Sequence, residues 1–522
     1  MSDALTPDAV HLGLDLGTQS ARAVAVDGTG RVVGAASRPL TGRRDGPRHE
    51  QDPAQWWSAL SAACREALAG VEAGRVRDVA VDATSGTILL AAPDGTPLTA
   101  GLMYDDGRAG DCADRVNAVG APVWERLGYR SMQPSWALPK LLWLLERDRP
   151  PAGARLLHQA DLVTWRLAGR QVPSDASHAL KTGYDLLAER WPEEELSALG
   201  VPAALLPEVV RPGTVVGEVC AEAVAATGIP AGTPIVAGMT DGCAAQIGAG
   251  ALEPGAWNAV LGTTLVLKGV SPHPVRDPAG VVYCHRGPEG TWLPGGASSS
   301  GAGVLTRRFP GADLSALTAE AAATGSKGGM SSTGSTGSTG SAGSMGSAGS
   351  AGSMAVTYPL VGDGGERFPF RARQATAFTL GRPAGRAEEF HACLLGVACL
   401  ERLCFDYLDR LGAPVSGPLH LTGGGTRNRY WSQLRADVLG RRVLLPEQAE
   451  SAVGMAVLAA TASGVALRDA AAAMVRVREE LEPDPDRTRR LLPVYLGFVD
   501  ELARRGWLEE QVAAHAHGKA RT

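Results

Sequence analysis

Residues 10–26 read VHLGLDLGTQSARAVAV, and this stretch decides the fold. Its pattern predicts two apolar strands joined by a short polar loop. Backbone N–H groups in a glycine-containing turn can approach a phosphate closely, and a carboxylate beside the turn can hold Mg²⁺, usually through water. Asp15 is therefore a candidate magnesium ligand, although a plain hairpin turn would have the same pattern. The candidate phosphate ligands are Gly17, Thr18 and Gln19.

A second loop of the same design occurs in residues 258–267, NAVLGTTLVL. Here too a strand pattern is interrupted by a Gly-Thr turn and then resumes. Two such loops on two domains could hold a polyphosphate from both sides. This adds Gly262, Thr263 and Thr264 to the candidate phosphate ligands, with a simple hairpin as the alternative for this loop taken alone.

Residues 421–428, LTGGGTRN, place three glycines directly after a predicted strand. Glycines leave a flat backbone surface against which a purine and its ribose can pack. The Asn at the end of the run can hydrogen-bond the base or the ribose. We therefore take Gly424, Gly425 and Asn428 as candidate ATP ligands; a loop with one residue in the left-handed conformation is the structural alternative.

Asp241 lies in residues 237–242, AGMTDG, on a glycine-flanked turn after an apolar strand. Such a turn can project a carboxylate into a cleft. Phosphoryl transfer to an alcohol needs a base that accepts the hydroxyl proton, and Asp241 is the candidate for this role. Because an apolar run follows, Asp241 could also be a helix N-cap, and the two roles are compatible.

The chain is long and nearly neutral, which bounds the class of protein. Its 522 residues exceed one compact core, and strand-like and helix-like patterns alternate, so we expect an α/β protein with at least two domains. The 50 basic and 55 acidic residues indicate neither a nucleic-acid partner nor a membrane surface. No apolar run could span a membrane and no leader pattern opens the chain, so we expect a cytoplasmic protein with reduced, buried thiols.

The predicted domains comprise residues 10–250 and 251–465, followed by a charged helical tail, 466–522. Residues 324–354 consist almost entirely of Gly, Ser, Thr and Ala. Such a segment buries too little apolar surface to offset the entropy lost on ordering. We therefore expect a flexible insertion, inert rather than a functional lid.

Together these segments resemble those of the FGGY carbohydrate kinases. The resemblance covers nearly all of residues 10–500 and includes further segments besides the loops above. These are Glu50-Gln51-Asp52-Pro53 with Trp56-Trp57, Tyr104-x-Asp106-x-Arg108-Ala109, Lys140 to Trp143, Asp161 to Gly169, and Trp431-x-Gln433-x-x-Ala436-Asp437. The joint match is far more specific than any single segment.

The resemblance implies two domains of ribonuclease-H-like fold, as in actin and hexokinase, that flank a cleft. The sugar would lie mainly on the N-terminal domain and ATP mainly on the C-terminal domain. Asp241 matches the catalytic base, Thr18 the γ-phosphate contact, and Asp15 the Mg²⁺-linked carboxylate that also faces the acceptor. Family members are often homodimers, although no segment here indicates an interface.

The acceptor is predicted from residues 81–87, VDATSGT. Xylulose kinases carry a Gln-Met-His-Gly pattern at the matching strand end, whereas Asp-Ala-Thr-Ser resembles ribulose-type and ribitol-type kinases. Segments that include residues 174–184, 283–285 and 365–370 resemble the D-ribulose kinase subgroup. D-ribulose is therefore the expected acceptor, with Ser85 as a contact to a sugar hydroxyl. The alternatives are D-xylulose, a polyol such as ribitol, or a nucleotide-dependent regulator without sugar turnover.

Asp106 and Arg108 are also predicted to bind the acceptor, although the matching loop of the D-ribulose kinase subgroup lacks this pair. In a cleft the two side chains could recognise vicinal hydroxyls, and a site built for them would reject sugars that lack them. At a surface they would instead form an ion pair worth at most about 1 kcal/mol.

Overall fold

The structure is a computed structural model that describes residues 5–147, 149–327, 354–362 and 364–521. Strands and helices alternate along the chain, as the sequence pattern predicts. The strands are β1 (Val10–Leu16), β2 (Ser20–Asp27), β3 (Val32–Pro39), β4 (Arg43–Asp45), β5 (Arg48–Gln51), β6 (Val76–Ala83), β7 (Ile88–Ala91), β8 (Gly101–Leu102), β9 (Arg155–His158), β10 (Ser174–Asp175), β11 (Val209–Val210), β12 (Val215–Glu218), β13 (Pro234–Val236), β14 (Trp257–Leu261), β15 (Leu265–Gly269), β16 (Tyr283–Arg286), β17 (Trp292–Ala297), β18 (Val356–Tyr358), β19 (Phe378–Leu380), β20 (Leu419–Thr422), β21 (Val443–Pro446) and β22 (Val477–Leu481). The helices are α1 (Pro53–Ala67), α2 (Gly110–Arg126), α3 (Ala137–Arg147), α4 (Gln159–Ala168), α5 (Ala176–Ala179), α6 (Glu193–Ala198), α7 (Ala221–Thr227), α8 (Asp241–Gly248), α9 (Gly303–Arg308), α10 (Leu314–Lys327), α11 (Arg386–Arg410), α12 (Arg429–Leu439), α13 (Ser451–Ala459), α14 (Leu467–Met474), α15 (Pro485–Arg504) and α16 (Glu510–Lys519).

The first large sheet has six strands in the order β12-β13-β6-β1-β2-β3. β1 and β2 form the predicted hairpin, and β1 runs parallel to β6 on its other side. All seven residues of β1 are buried, because it is a central strand with α13 packed against it. A parallel pair of strands brings both carboxyl ends to one edge of the sheet, where loops can meet a ligand.

The second large sheet repeats this arrangement with seven strands in the order β16-β17-β15-β14-β20-β21-β22. β14 forms a hairpin with β15 and runs parallel to β20, as β1 does with β2 and β6. The two Gly-Thr loops of the sequence therefore occupy equivalent positions in two similar sheets. The predicted α/β architecture with two sheet-containing halves is confirmed.

Two short helices, α8 and α13, join the halves. α13 packs against both β1 and α8, and α8 also contacts β14 and β15 of the second sheet. The approach is so close that a Cβ on Gly13 would lie 1.6 Å from the carbonyl oxygen of Ala452, and one on Gly454 would lie 1.9 Å from that of Ala244. Only glycine permits this packing, which fixes the start of α8, and hence Asp241, between the two sheets.

Residues 466–521 contain the helices α14, α15 and α16, and they also contribute a strand. β22 pairs antiparallel with β21 and forms an edge of the second sheet. Its sequence, VREEL, is charged and mostly exposed, which is typical of an edge strand and explains why an apolar pattern did not reveal it.

The predicted Gly/Ser insertion begins inside α10, whose last residues are 324–327, while 328–353 lie outside the described residues. Over the described ranges, no helix combines the length and apolar composition needed to cross a membrane. All eight cysteines have free thiols, and all but the half-buried Cys220 are buried.

Candidate active site

The first Gly-Thr loop is a tight hairpin turn that neighbouring residues hold in place through hydrogen bonds. The Gly17 N–H donates to the Ser20 carbonyl at 3.0 Å, and the Leu40 N–H donates to the Gln19 carbonyl at 2.8 Å. The Gln51 side chain donates to the Thr18 carbonyl at 2.7 Å. The carbonyl groups of the loop therefore accept hydrogen bonds from neighbouring protein groups. These bonds fix the shape of the loop before a phosphate binds.

The second loop has the same turn and a similar support. The Gly262 N–H donates to the Thr264 carbonyl at 3.0 Å, while N–H groups at the start of α9 donate to the carbonyls of Gly262 and Thr263 at 2.9 and 3.0 Å. The two loops were predicted to have the same design, and their backbone turns do share one geometry, in which the glycine N–H donates to a carbonyl at the end of the turn. Both lie at the strand ends that border the cleft between the sheets.

The triple-glycine segment forms a bend between β20 and α12. Gly423 has a φ of +82°, and a Cβ there would lie 2.7 Å from the Leu261 carbonyl oxygen, so this position requires glycine. Nothing lies within 4 Å of a Cβ added to Gly424, which leaves an open backbone surface. Gly425, in contrast, packs against the Leu261 side chain.

Asn428 is the N-cap of α12. Its side-chain oxygen accepts the Trp431 N–H at 3.0 Å, and its amide nitrogen donates to Thr318 Oγ1 at 2.9 Å. Both ends of the amide are therefore engaged within the protein. The amide still has a second N–H and a second lone pair, so the direct bond to the base or ribose stays a prediction.

Asp15 and Asp82 form a buried acidic pair at the carboxyl ends of β1 and β6. Arg22 approaches Asp15 at 3.5 Å, the long end of an ion pair. Burial is the main reason that the pKa of Asp15 is raised to about 6, with Arg22 opposing it. Burial and the neighbouring Asp15 hold the pKa of Asp82 well above its usual value.

The pair fits a divalent cation. Neither carboxylate oxygen of Asp82 has a hydrogen-bond partner among the residues that the structure describes, so its charge lacks a donor. Mg²⁺ prefers carboxylate, phosphate and water oxygens and commonly keeps several waters. The same part of the chain has no group of three His, Cys, Asp or Glu that could hold an ion alone. A Mg²⁺ beside Asp15 would therefore share its coordination with phosphate oxygens and water.

Asp241 is the first residue of α8, directly after the N-cap Thr240. Its carboxylate accepts the Gly242 N–H at 2.7 Å. Burial raises the pKa of Asp241, while this N–H and the cations Lys181 and His178 act to lower it. The predicted alternative of an N-cap is thus wrong by one position, and the carboxylate is held at a helix N-terminus without being used as the cap.

A polar network behind Asp241 connects the two halves. Ser177 Oγ lies 3.1 Å from Thr240 Oγ1 and 3.0 Å from His285 Nδ1, and it accepts the Thr240 N–H at 3.2 Å. Ser177 belongs to α5 and His285 to β16 of the second sheet. Burial and nearby lysines hold the pKa of His285 well below its usual value, so the imidazole is neutral. The position of Asp241 therefore depends on contacts from α5 and, through Ser177, from the second sheet.

Two lysines support the turn that carries Ser85. Lys181 Nζ donates to the Ser85 carbonyl at 3.0 Å, and buried Lys140 donates to the carbonyls of Gly86 and Met103 at 2.7 and 2.6 Å. Burial lowers the pKa of Lys181 to about 8 and that of Lys140 to about 7. Ser85 Oγ itself is buried and unpartnered within the described residues. A rigid turn thus presents a hydroxyl that has no partner among the described residues and is free to bond a ligand.

Asp106 and Arg108 form an ion pair, but a buried one. The Arg108 Nε and Nη2 bond both Asp106 oxygens at 2.6 to 3.1 Å, and its Nη1 bonds Glu50 at 2.6 Å. The side chains are 0% and 6% exposed, and the guanidinium stacks on Trp143 at 4.8 Å. The His49 N–H also donates to Asp106. These bonds fix the pair within the protein but leave two of the five Arg108 N–H donors free of the bonds above. The contact with sugar hydroxyls stays a prediction.

Comparison with known proteins identifies the family. The model of the FGGY family of carbohydrate kinases, N-terminal domain, matches residues 10–248, and that of its C-terminal domain matches residues 257–463. The chain belongs to the FGGY family of carbohydrate kinases. It is 30% identical to a xylulose kinase of Streptomyces coelicolor over 476 aligned residues. The alignment covers 89% of this chain and 90% of that protein.

Two further FGGY relatives define how far the likeness extends. A glycerol kinase of Ectopseudomonas mendocina is 27% identical over 522 residues, 94% of this chain and 98% of that protein. The crystal structure of a xylulose kinase from Rhodospirillum rubrum superposes with a TM-score of 0.80 at 26% identity, over 95% of this chain and 98% of that one. The predicted pair of ribonuclease-H-like domains flanking a cleft is confirmed, and this cleft is that of an FGGY sugar kinase.

Sequence reasoning missed several residues of this FGGY site. Asp82, Lys181, Ser177 and His285 all lie around the predicted ligands, yet none was assigned a role. Asp82 carried a signal, because it ends a buried strand within a segment already singled out. The other three lie in segments 174–184 and 283–285, which the sequence singled out only for their resemblance to the D-ribulose kinase subgroup. Their place in the site follows from the contacts of α5 and β16 with the start of α8.

Proposed function

We propose that this FGGY kinase transfers the γ-phosphoryl group of ATP to a hydroxyl of a pentulose, with D-ribulose as the preferred acceptor. The observation that carries this proposal is the buried, unpartnered hydroxyl of Ser85. Lys181 links Ser85 to the base, because its ammonium bonds the Ser85 carbonyl and its charge lowers the pKa of Asp241. A sugar hydroxyl that bonds Ser85 would lie on the side of the cleft that Asp241 faces.

Asp241 acts as the general base in this proposal. As the acceptor oxygen attacks the γ-phosphorus, its proton passes to Asp241, the bond to the oxygen that bridges the β- and γ-phosphates breaks, and ADP leaves. Thr18 contacts the γ-phosphate in the first loop. Gly262, Thr263 and Thr264 hold the polyphosphate from the other side, and Gly424 supports the adenosine.

Magnesium would sit beside the acidic pair. Asp15 would hold it, through water, with Asp82 adjacent, and the ion would neutralise phosphate charge when bound. The residues of the chain supply the remaining requirements: a fixed pair of phosphate loops, a base, and closure of the two halves that excludes water as a competing acceptor. A cytoplasmic location, a homodimer and the domain division at about residue 250 belong to the same proposal.

D-xylulose is the second candidate acceptor, because relatives that match nearly the whole chain are xylulose kinases. The strand-end residues Asp82 to Ser85 differ from the Met-His pattern of xylulose kinases. This difference supports D-ribulose over D-xylulose.

The test is a coupled assay of ADP release with Mg²⁺-ATP and D-ribulose, L-ribulose, D-xylulose, L-xylulose, ribitol or glycerol. We expect the highest kcat/KM for D-ribulose, and a decrease of about ten-fold in Ser85→Ala, the cost of one lost hydrogen bond. Ser58→Ala, on the exposed side of α1, serves as the matched control. A preference for D-xylulose that survives Ser85→Ala would contradict the assignment of the acceptor but not the kinase class.

A further inference from the structure

The segment 365–370, GERFPF, packs against β17 of the second sheet and has no role in the function described so far. Its centre is Glu366, a buried carboxylate that organises the loop after β17. It accepts hydrogen bonds from Ser298 Oγ at 3.0 Å, the Ser299 N–H at 2.6 Å and Ser300 Oγ at 3.0 Å. The Tyr358 hydroxyl also donates to it, at 2.8 Å. Such a saturated buried carboxylate fixes its surroundings rigidly.

The loop that Glu366 holds is the support of the second phosphate loop. The Leu265 N–H donates to the Ser300 carbonyl at 2.8 Å, and the Ser298 N–H donates to the Leu265 carbonyl at 2.9 Å. A Cβ on Gly301 would lie 2.6 Å from the Thr264 backbone. Glu366 is thereby connected, through one loop, to the residues that would hold the polyphosphate.

Arg367 follows Glu366 and is fixed on both sides. Its own N–H bonds Glu366 at 3.0 Å, and the next residue, Phe368, is fully buried against Gly296. The Arg367 side chain is nevertheless exposed. Its Nη2 donates to the Ser298 carbonyl at 3.2 Å, and no carboxylate of the described residues lies within ion-pair distance of it.

The positive charge of Arg367 acts on two groups of the N-terminal half, Tyr104 and Lys181. Burial raises the pKa of Tyr104 and lowers that of Lys181, and the charge of Arg367 contributes to both environments. Tyr104 and Lys181 belong to the N-terminal half, whereas Ser298 belongs to the C-terminal half. Arg367 therefore bonds the support of the second phosphate loop and lies near Lys181, which holds the acceptor turn.

We propose that Arg367 is a catalytic residue that binds the phosphoryl group during its transfer, and that Glu366 is the positioning residue that holds it there. A guanidinium presents planar, permanently charged donors that match phosphate oxygens. Charge on these oxygens is what phosphoryl-transfer sites stabilise in the transition state. The inference rests on the proposed function in one respect, that some acceptor is phosphorylated.

The experiment compares Arg367→Ala with Arg371→Ala in the full chain. Arg371 is the matched control, an exposed arginine of the same segment whose Nη2 bonds the Gly280 carbonyl at 2.7 Å. In Arg367→Ala we expect kcat to fall by about 10²- to 10³-fold, the effect of removing one donor that stabilises transition-state charge. We also expect the affinity for ATP to fall and the affinity for ADP to stay unchanged, because only ATP has a γ-phosphate. Added guanidinium should restore part of the turnover. Arg371→Ala should match the parent.

The role of Glu366 is tested by Glu366→Gln. We expect the same loss of preference for ATP over ADP, and a double variant with Arg367→Ala that is no worse than Arg367→Ala alone. If Glu366→Gln misfolds, the role of Glu366 is in folding and the proposed positioning role is overturned. The variants at exposed Arg367 then still test the catalytic role.

Three outcomes would overturn the catalytic role: a kcat within three-fold of the parent, equal losses of ATP and ADP affinity, or a change confined to KM for the sugar. Nucleotide binding needs no acceptor, so a kinase inactive on all six sugars would contradict the proposed substrate and leave this test intact.

Discussion

Asp15 and Asp82 lie directly opposite each other in the parallel register of β1 and β6, and both are buried. Two adjacent carboxylates in a dry environment cannot both ionise cheaply, so the folded protein retains protons there that the unfolded chain releases. This is a cost in stability at neutral pH, and it is one that a bound cation would relieve. The pair therefore favours function at the expense of the stability of the free protein.

Asp82→Asn should stabilise the free protein while reducing turnover. The folded state raises the pKa of Asp82, so it binds more protons than the unfolded chain above pH 4, and stability of the parent falls as pH rises through this region. Removal of the charge should raise the free energy of unfolding by about 1–3 kcal/mol, more at pH 8 than at pH 5. Urea denaturation at both pH values measures this difference. An equal gain at both would show that the charge of Asp82 is not the cause.

Asp241→Asn should lower kcat by about 10²- to 10⁴-fold, the usual contribution of a general base. The Asn side chain can still accept the Gly242 N–H, so the fold and ATP binding should be retained. Rapid-quench kinetics and ATP titration separate the two effects. Asp111→Asn, in the exposed first turn of α2, should leave both unchanged; parent-like turnover in Asp241→Asn would exclude Asp241 as the base.

Lys181→Met should move the acid limb of the pH profile of kcat/KM upward. Burial raises the pKa of Asp241 and Lys181 opposes it, so loss of the cation raises the pKa of the base further, and activity is lost at a higher pH. We expect a shift of up to about one pH unit. Lys181→Arg retains the charge and should keep the limb in place. A downward shift in Lys181→Met would contradict the assigned electrostatics.

Glu401→Ala should destabilise the C-terminal half strongly. Glu401 and Arg435 form a bidentate pair at 2.6 and 2.7 Å, with both side chains fully buried. Removal of one partner leaves an uncompensated buried charge, at a cost of about 3–5 kcal/mol. Glu480→Ala breaks an exposed pair with Arg442 and should cost less than about 1 kcal/mol. Urea denaturation of the two variants gives the comparison, and equal losses would contradict it.

Most of the strands and helices were predictable because each depends on the pattern of apolar and turn residues within a short stretch of sequence. Residues 10–26 predicted the first hairpin and residues 258–267 the second, because apolar runs bounded by glycine or polar turns have few other solutions. β22 was missed since an edge strand needs no apolar face. Asp241 was found for a similar local reason, as a carboxylate on a turn after a strand.

Sequence alone determined the two Gly-Thr loops, the candidate base and the α/β class, since each depends on neighbours within a few residues. Tertiary structure decided which distant groups share the cleft. Lys181 reaches Ser85 across 96 residues and Glu366 reaches Ser298 across 68. It also buried Asp106 with Arg108 and engaged Asn428 with Thr318. Strand register and helix packing set these contacts, and a local pattern of residues carries no information about which strand or helix will lie beside it.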